Sequence, residues 1–158
     1  MLRLLVQRGE SFSAAESCTG GLIAKNITDI PGASAVFLGG VVSYTGGVKH
    51  RVLGVSEELL LQHGAVSEPV AGAMAEGARR VIGSTYALSV TGLAGPDGDD
   101  RGNPVGTVFI GLAEEGKTEV KHFLFAGDRE AVRRQAAESA FSLLRQHLTE
   151  KNKAKGEN

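Results

Sequence analysis

The stretch Phe12–Gly21 constrains this chain more than any other. Phe12-Ser13-Ala14-Ala15-Glu16 is a short strand-type run, and Ser17-Cys18-Thr19-Gly20-Gly21 is a corner of small and hydroxyl residues. Leu22, Ile23, Ile27 and Ile30 then recur near helical period. A strand feeding a helix through a tight corner is the repeating unit of α/β folds. Two glycines let the backbone come close to a ligand. Free N–H groups at a helix start favour an anion or a developing oxyanion. A hydroxyl at such a corner fits two roles, nucleophile and helix cap, and the corner alone does not separate them.

The remaining punctuation extends the α/β reading. Met1 to Arg8 reads as the end of a helix, and Pro31-Gly32 closes the helix that opens at Gly20. Ala35 to Tyr44 reads as a strand loosened by Gly39-Gly40, and Gly46 to Leu53 as one or two helical turns. Ser56 reads as an N-cap with Glu57 and Glu58 in the first turn, and Gly64 stops that helix. Ser67-Glu68-Pro69 starts the next helix, which runs to about Ile82. Tyr86 to Val90 is a buried-type strand, followed by the turn-rich segment Thr91 to Pro104. A structureless stretch of that length in a small domain is often functional. Val105 to Leu112 and Thr118 to Phe125 form a hairpin through Glu114-Glu115-Gly116. Asp128 caps a final helix with Val132, Ala136, Ala140, Leu143, Leu144 and Leu148 on one face. The expected fold is a single three-layer α/β/α domain over residues 1–158 with a mixed β-sheet. Residues 150–158, with Lys151, Lys153 and Lys155, read as a flexible basic tail.

Composition narrows the function classes. The 158 residues are 42% hydrophobic and 22% charged, in the range of an ordinary folded domain. A net charge of −1 gives no general grip on nucleic acid. One cysteine, Cys18, fits a reducing cytoplasm. No apolar run reaches the length of a membrane span. His50, His63, His122 and His147 show no metal-ligand spacing with Cys18, so no metal or other cofactor is expected. The chain also lacks a P-loop lysine pattern and a Gly-x-Gly-x-x-Gly.

Three glycine- and hydroxyl-rich loops each follow an expected strand: Ser17–Gly21, Tyr44–Lys49 and Thr91–Gly98. Ligands of open α/β sheets bind beyond strand ends, so the three could share one pocket. Lys49, beside two glycines and near Tyr44, is the kind of base that activates a serine once its charge is desolvated. Lys49 and Tyr44 also fit a surface lysine and a strand-end packing residue. Cys18 is the rival nucleophile, or a small buried hydrophobe. Glu16 is either a base or the partner of a basic neighbour. Asp97 fits a turn residue, and a phosphate-bearing substrate would make Arg129 or Arg133 a natural clamp.

Six motifs occur in order. They are Ala15-Glu16-Ser17-Cys18-Thr19-Gly20-Gly21, Tyr44 with Lys49, His63–Pro69, Thr91–Gly98, Pro104–Val108, and Gly127-Asp128-Arg129. Together they resemble the CinA C-terminal domain family, the PncC-type nicotinamide mononucleotide deamidases, over residues 10–149. The resemblance implies an α/β/α domain that hydrolyses the carboxamide of nicotinamide mononucleotide to nicotinate mononucleotide and ammonia. It implies a serine nucleophile with lysine and tyrosine helpers, roles that fall on Ser17, Lys49 and Tyr44. Ser34, Thr91 and Gly92 fall on substrate-binding positions, Thr19, Gly20 and Gly21 on the anion-binding corner, and Arg129 on a phosphate ligand. The nucleotide is then the expected partner, and a homo-oligomer the expected assembly. Gly46-Gly47-Val48 departs from the Asn-Glu-Ala common before the family's lysine and suggests a more mobile loop. In many bacteria such a domain follows a molybdopterin-binding-like domain, which is not in this sequence. Two rival readings are a non-catalytic nucleotide-binding or competence-linked regulatory module, and an amidase acting on another pyridine or nucleotide.

Overall fold

Three strands of like direction form the heart of the sheet, because helices between the first and second and between the second and third return the chain to the same edge. The computed structural model describes residues 1–156. Helix α1 (Leu2–Arg8) leads to β1 (Phe12–Glu16), and α2 (Leu22–Thr28) and a single 3-10 turn (Ala33–Ala35) lead to β2 (Phe37–Val42). Helices α3 (Gly46–Leu53), α4 (Glu57–His63) and α5 (Glu68–Ile82) follow, then β3 (Tyr86–Gly92). The hairpin β4 (Thr107–Glu114) and β5 (Lys117–Leu124) precedes α6 (Arg129–Gly156).

The strand order is β2-β1-β3-β4-β5. β1 pairs in parallel with β2 and β3, whereas β4 is antiparallel to β3 and to β5, so the sheet is mixed as expected. Side chains alternate along β3. Tyr86, Leu88 and Val90 join the core formed with Leu5 of α1, Ile23 and Ile27 of α2 and the apolar face of α6. Ala87 joins Leu53 of α3 and Val70, Met74 and Ala78 of α5 on the other face. Helices therefore cover both faces, which is why β1 and β3 are buried along their length rather than alternating with solvent.

Several boundaries differ from the sequence expectation. Gly20 and Gly21 have positive φ and lie in the turn before α2, so that helix begins at Leu22. β3 runs through Thr91 and Gly92, which pair with Phe109 and Val108, and the loop shifts to residues 93–106. β4 accordingly starts at Thr107 rather than Val105. Ser56 caps α4 by accepting the Leu59 N–H at 3.1 Å. Ser67 occupies the N-cap position of α5, but its hydroxyl donates to Gly64 O instead. Asp128 accepts the Ala131 N–H at the start of α6.

The segment read as a tail continues α6 as far as Gly156. Lys151 donates to Glu114 at the end of β4 and lies 3.4 Å from the Tyr86 hydroxyl, so an ion pair and a buried phenol tie this part of α6 to the sheet. The side chain of Lys155 and residues 157–158 of that expected tail lie outside the described part of the chain. Among the described residues, no helix is long and apolar enough to cross a membrane.

Candidate active site

The parallel pairing brings the C-terminal ends of β1, β2 and β3 to one edge, and the three loops named above meet there. They enclose a cleft of about 250 Å³ lined by Ser17, Cys18, Tyr44, Lys49, Thr91, Gly92, Asp97 and Arg129, with residues 65–66 and 93–95. A larger groove of about 440 Å³ between α1, α2 and α6 contains none of these side chains.

Ser17 follows the last residue of β1, and its N–H continues the sheet by donating to Val90 O at 2.9 Å. Its side chain is 7% exposed. Lys49, on the second turn of α3, is 1% exposed and donates from Nζ to Ser17 Oγ at 2.9 Å and to Ser43 O at 2.7 Å. Burial pushes the Lys49 ammonium down to about 8, because the charged form has lost its water. Gly46-Gly47-Val48 is not a loose loop. It forms the first turn of α3 and so fixes the direction from which Lys49 enters.

Cys18 also lines the cleft, but burial pushes its thiol up to about 11. A thiol at that value is protonated at neutral pH and is a poor nucleophile. The same low-dielectric setting thus favours neutral lysine and neutral cysteine.

Glu16 does neither thing expected of it. Its carboxylate, 1% exposed, accepts the N–H groups of Gly21 and Ile23 at 3.0 Å and of Ala24 at 2.9 Å. It is an internal cap for α2, satisfying donors that a helix start leaves free. The donors expected at Gly20 and Gly21 are therefore already taken, since Gly20 N–H donates to Ser17 O. Among the described residues, the N–H groups of Cys18 and Thr19 have no such acceptor. The Thr19 side chain is fully buried, and neither Thr19 nor the two glycines lines the cleft.

Tyr44 is 57% exposed, and its hydroxyl accepts from Arg129 Nη2 at 3.0 Å. Arg129 Nη1 donates to Gly95 O at 2.6 Å. The tyrosine expected beside the serine–lysine pair is thus held by the arginine at the mouth of the cleft. Thr91, buried at the end of β3, donates from Oγ1 to Ala65 O at 2.7 Å and so fixes the 65–66 wall. Gly92 has no room for a side chain, because a Cβ there would lie 2.6 Å from Val108 Cγ2.

Ser34 is not brought to the cleft. It is exposed on the 3-10 turn that precedes β2, at the edge of the sheet where the parallel strands begin. The length of β2, about 20 Å at the usual strand rise, separates that edge from the cleft. Two contributors escaped the sequence reading. Ser43 acts through a carbonyl, whose direction no residue type signals. Arg133, considered only as a phosphate clamp, donates to Cys18 O at 3.1 Å and Thr19 O at 3.0 Å instead.

The sequence profile of the CinA C-terminal domain matches residues 1–148. A CinA-like protein of Geobacter sulfurreducens is 52% identical over 146 residues, covering 92% of this chain and 35% of that protein. A CinA-like protein of Anaeromyxobacter sp. strain Fw109-5 is 54% identical over 141 residues, covering 89% of this chain and 34% of that protein. The chain spans about a third of the length of these curated relatives. Among solved structures, the competence damage-inducible protein A of Klebsiella pneumoniae superposes with a TM-score of 0.92 at 38% identity, over 94% of this chain and 92% of that one. The competence/damage inducible protein CihA of Agrobacterium tumefaciens gives 0.86 at 37% identity, over 93% and 92%. Sequence and fold agree on a single assignment, and the chain belongs to the CinA C-terminal domain family.

Proposed function

We propose that this domain is an amidohydrolase that converts nicotinamide mononucleotide to nicotinate mononucleotide and ammonia, with Ser17 as nucleophile and Lys49 as its base. The observation that carries the reading is the buried Lys49 Nζ–Ser17 Oγ contact of 2.9 Å, made by a lysine whose charge burial disfavours. A desolvated lysine beside a serine is an established alternative to histidine in acyl transfer. The nicotinamide substrate rests on the motif resemblance set out above.

In this reading, neutral Lys49 accepts the Ser17 proton as Oγ attacks the carboxamide carbon. The resulting oxyanion is met by the backbone N–H of Cys18, the free donor of the corner that lines the cleft. Protonated Lys49 returns the proton to the amide nitrogen, the C–N bond breaks, and ammonia leaves. Water then attacks the acyl-serine and delivers one proton to Lys49, which passes it to Ser17 as nicotinate mononucleotide departs. The Tyr44 hydroxyl, bonded to Arg129, orients substrate at the cleft mouth, and no step passes through it. Arg129, exposed and cationic, is the phosphate ligand of this reading, exchanging its bond to Gly95 O for a bidentate bond to phosphate.

Ammonia release from nicotinamide mononucleotide by the wild type, beside Ser17→Ala and Lys49→Ala, tests the proposal. Turnover by the wild type and its loss in both folded variants is the expected result. Binding of the nucleotide without turnover would support instead the regulatory module, and turnover that survives Ser17→Ala would remove the nucleophile assignment.

A further inference from the structure

We propose that Arg133 is a positioning residue that sets the oxyanion donor of the Ser17 corner, an inference that rests on the reading of Ser17 as nucleophile. Arg133 lies on α6, outside the cleft lining, and its guanidinium holds two consecutive carbonyls, Cys18 O through Nε at 3.1 Å and Thr19 O through Nη2 at 3.0 Å. The peptide between Cys18 and Thr19 is planar and trans, so its N–H points opposite to its C=O. Once Arg133 draws the Cys18 carbonyl toward α6, the Thr19 N–H is turned away from α6, within a residue that is fully buried and outside the cleft lining. The next peptide is fixed in the same way, but its N–H, that of Gly20, is consumed by Ser17 O. That bond holds Ser17 O, so the N–H of Cys18, in the same peptide and on a residue that lines the cleft, is oriented opposite to it and left free.

Three further features support this. Glu16 takes the N–H groups of Gly21, Ile23 and Ala24, so the corner is fixed from its donor side by a carboxylate and from its acceptor side by a guanidinium. Gly20 has φ +59° where the arginine passes, and a Cβ there would lie 3.3 Å from Arg133 Nη2. A lysine could not do the same work, because one ammonium lacks the planar fork that spans two carbonyls along a turn. Arg133 thus acts through the backbone, whereas Arg129, one turn earlier on α6, faces the cleft itself.

The test compares Arg133→Met and Arg133→Lys with the wild type by steady-state deamidation of nicotinamide mononucleotide. The same three proteins are compared by the rate at which a fluorophosphonate probe labels Ser17. The probe's phosphoryl oxygen needs the same donor but none of the nucleotide contacts. Expected in Arg133→Met is a fall in kcat and in labelling rate of about 30- to 100-fold, the scale of a misplaced oxyanion donor. KM should stay within about threefold, and the pH midpoint set by Lys49 should not move. Arg133→Lys, which retains stem and charge, should recover less than a tenth of the activity, and added methylguanidine should restore part of the Arg133→Met rate. Arg133→Lys carries the comparison should the methionine variant unfold. Normal kcat and labelling in a folded variant, or a loss confined to KM, overturns the proposal. A wild type that is labelled but does not deamidate the nucleotide removes the substrate reading alone, and the labelling rates then decide on Arg133. A wild type that does neither removes Ser17 as nucleophile, and this role with it.

Discussion

Lys49 Nζ sits 2.9 Å from Ser17 Oγ, and the two residues come from different βα units: Ser17 from the end of β1, Lys49 from the helix after β2. Among the described residues, the other hydrogen bond of Lys49 goes to a carbonyl, that of Ser43. A buried amine whose partners are a hydroxyl and a carbonyl gains no full countercharge, so its neutral form is accessible near physiological pH.

That relationship fixes the pH dependence of turnover. Lys49 is competent as a base only when deprotonated, so activity is expected to rise with pH through a midpoint of about 8. A pH series of kcat/KM checks this. A rate that falls as pH rises across that interval would be inconsistent with Lys49 as the base. Ser17→Ala should lower kcat by about 10⁴-fold or more at every pH, the scale seen when a serine nucleophile is deleted.

The same shift predicts a stability effect of definite sign. Unfolded Lys49 holds its proton up to the ordinary value of 10.5, folded Lys49 only to about 8. Between those values the unfolded state binds more protons, so stability rises with pH there. Below about pH 8 the buried cation is a standing cost on the order of 3 kcal/mol. Lys49→Met should therefore gain on the wild type at pH 7 relative to pH 10, measured by urea unfolding at the two values. An unchanged difference would show that Lys49 titrates alike in both states.

Cys18 should resist alkylation. Its thiol is 6% exposed and its ionisation is pushed up to about 11, so the thiolate population at pH 8 is small. Iodoacetamide should modify Cys18 in native protein at least about 100-fold more slowly than in protein unfolded by urea, as intact-mass measurements would show.

Arg129 should discriminate by phosphate. Its loss is expected to raise KM for nicotinamide mononucleotide about tenfold or more, the value of a charge-assisted bond, while KM for nicotinamide riboside changes little. Equal effects on both substrates would assign Arg129 to Tyr44 and the 93–95 loop rather than to phosphate.

The packing between α3 and α5 supplies a test far from the chemistry. A Cβ on Gly77 would lie 2.0 Å from Leu53 O and 2.9 Å from Leu53 Cβ. Alanine gains about 1 kcal/mol in intrinsic helix propensity. Displacing the end of α3 costs about 3 kcal/mol. Gly77→Ala should therefore lower the melting temperature by several degrees, and Lys49, on the same short helix, should lose part of its alignment.

The elements were legible wherever local chemistry is unambiguous. Period-2 and period-3.6 patterns, Pro69, Asp128 and the Glu115-Gly116 turn marked all five strands and the principal helices to within a few residues. Boundaries slipped where a glycine allows either outcome. Gly20 and Gly21 were counted as helix but form a left-handed turn, and Gly92 was counted as loop but ends β3. The candidate residues Ser17, Lys49, Tyr44, Thr91, Gly92 and Arg129 were legible as motifs and do share one cleft, whereas Ser34 lies at the opposite edge of the sheet.

By itself, the sequence determined the order of strands and helices, the absence of a charge pattern suited to nucleic acid, and a short set of residues able to carry acyl transfer. Those depend on residue type and spacing, which act locally. Tertiary structure alone showed that Ser17 is hydrogen-bonded to Lys49, because that contact depends on α3 delivering Lys49 to the end of β1. It alone decided that Glu16 serves as a cap, and that Tyr44 answers to Arg129. Desolvation and backbone direction are properties of what surrounds a residue, and those surroundings exist only once distant segments have packed.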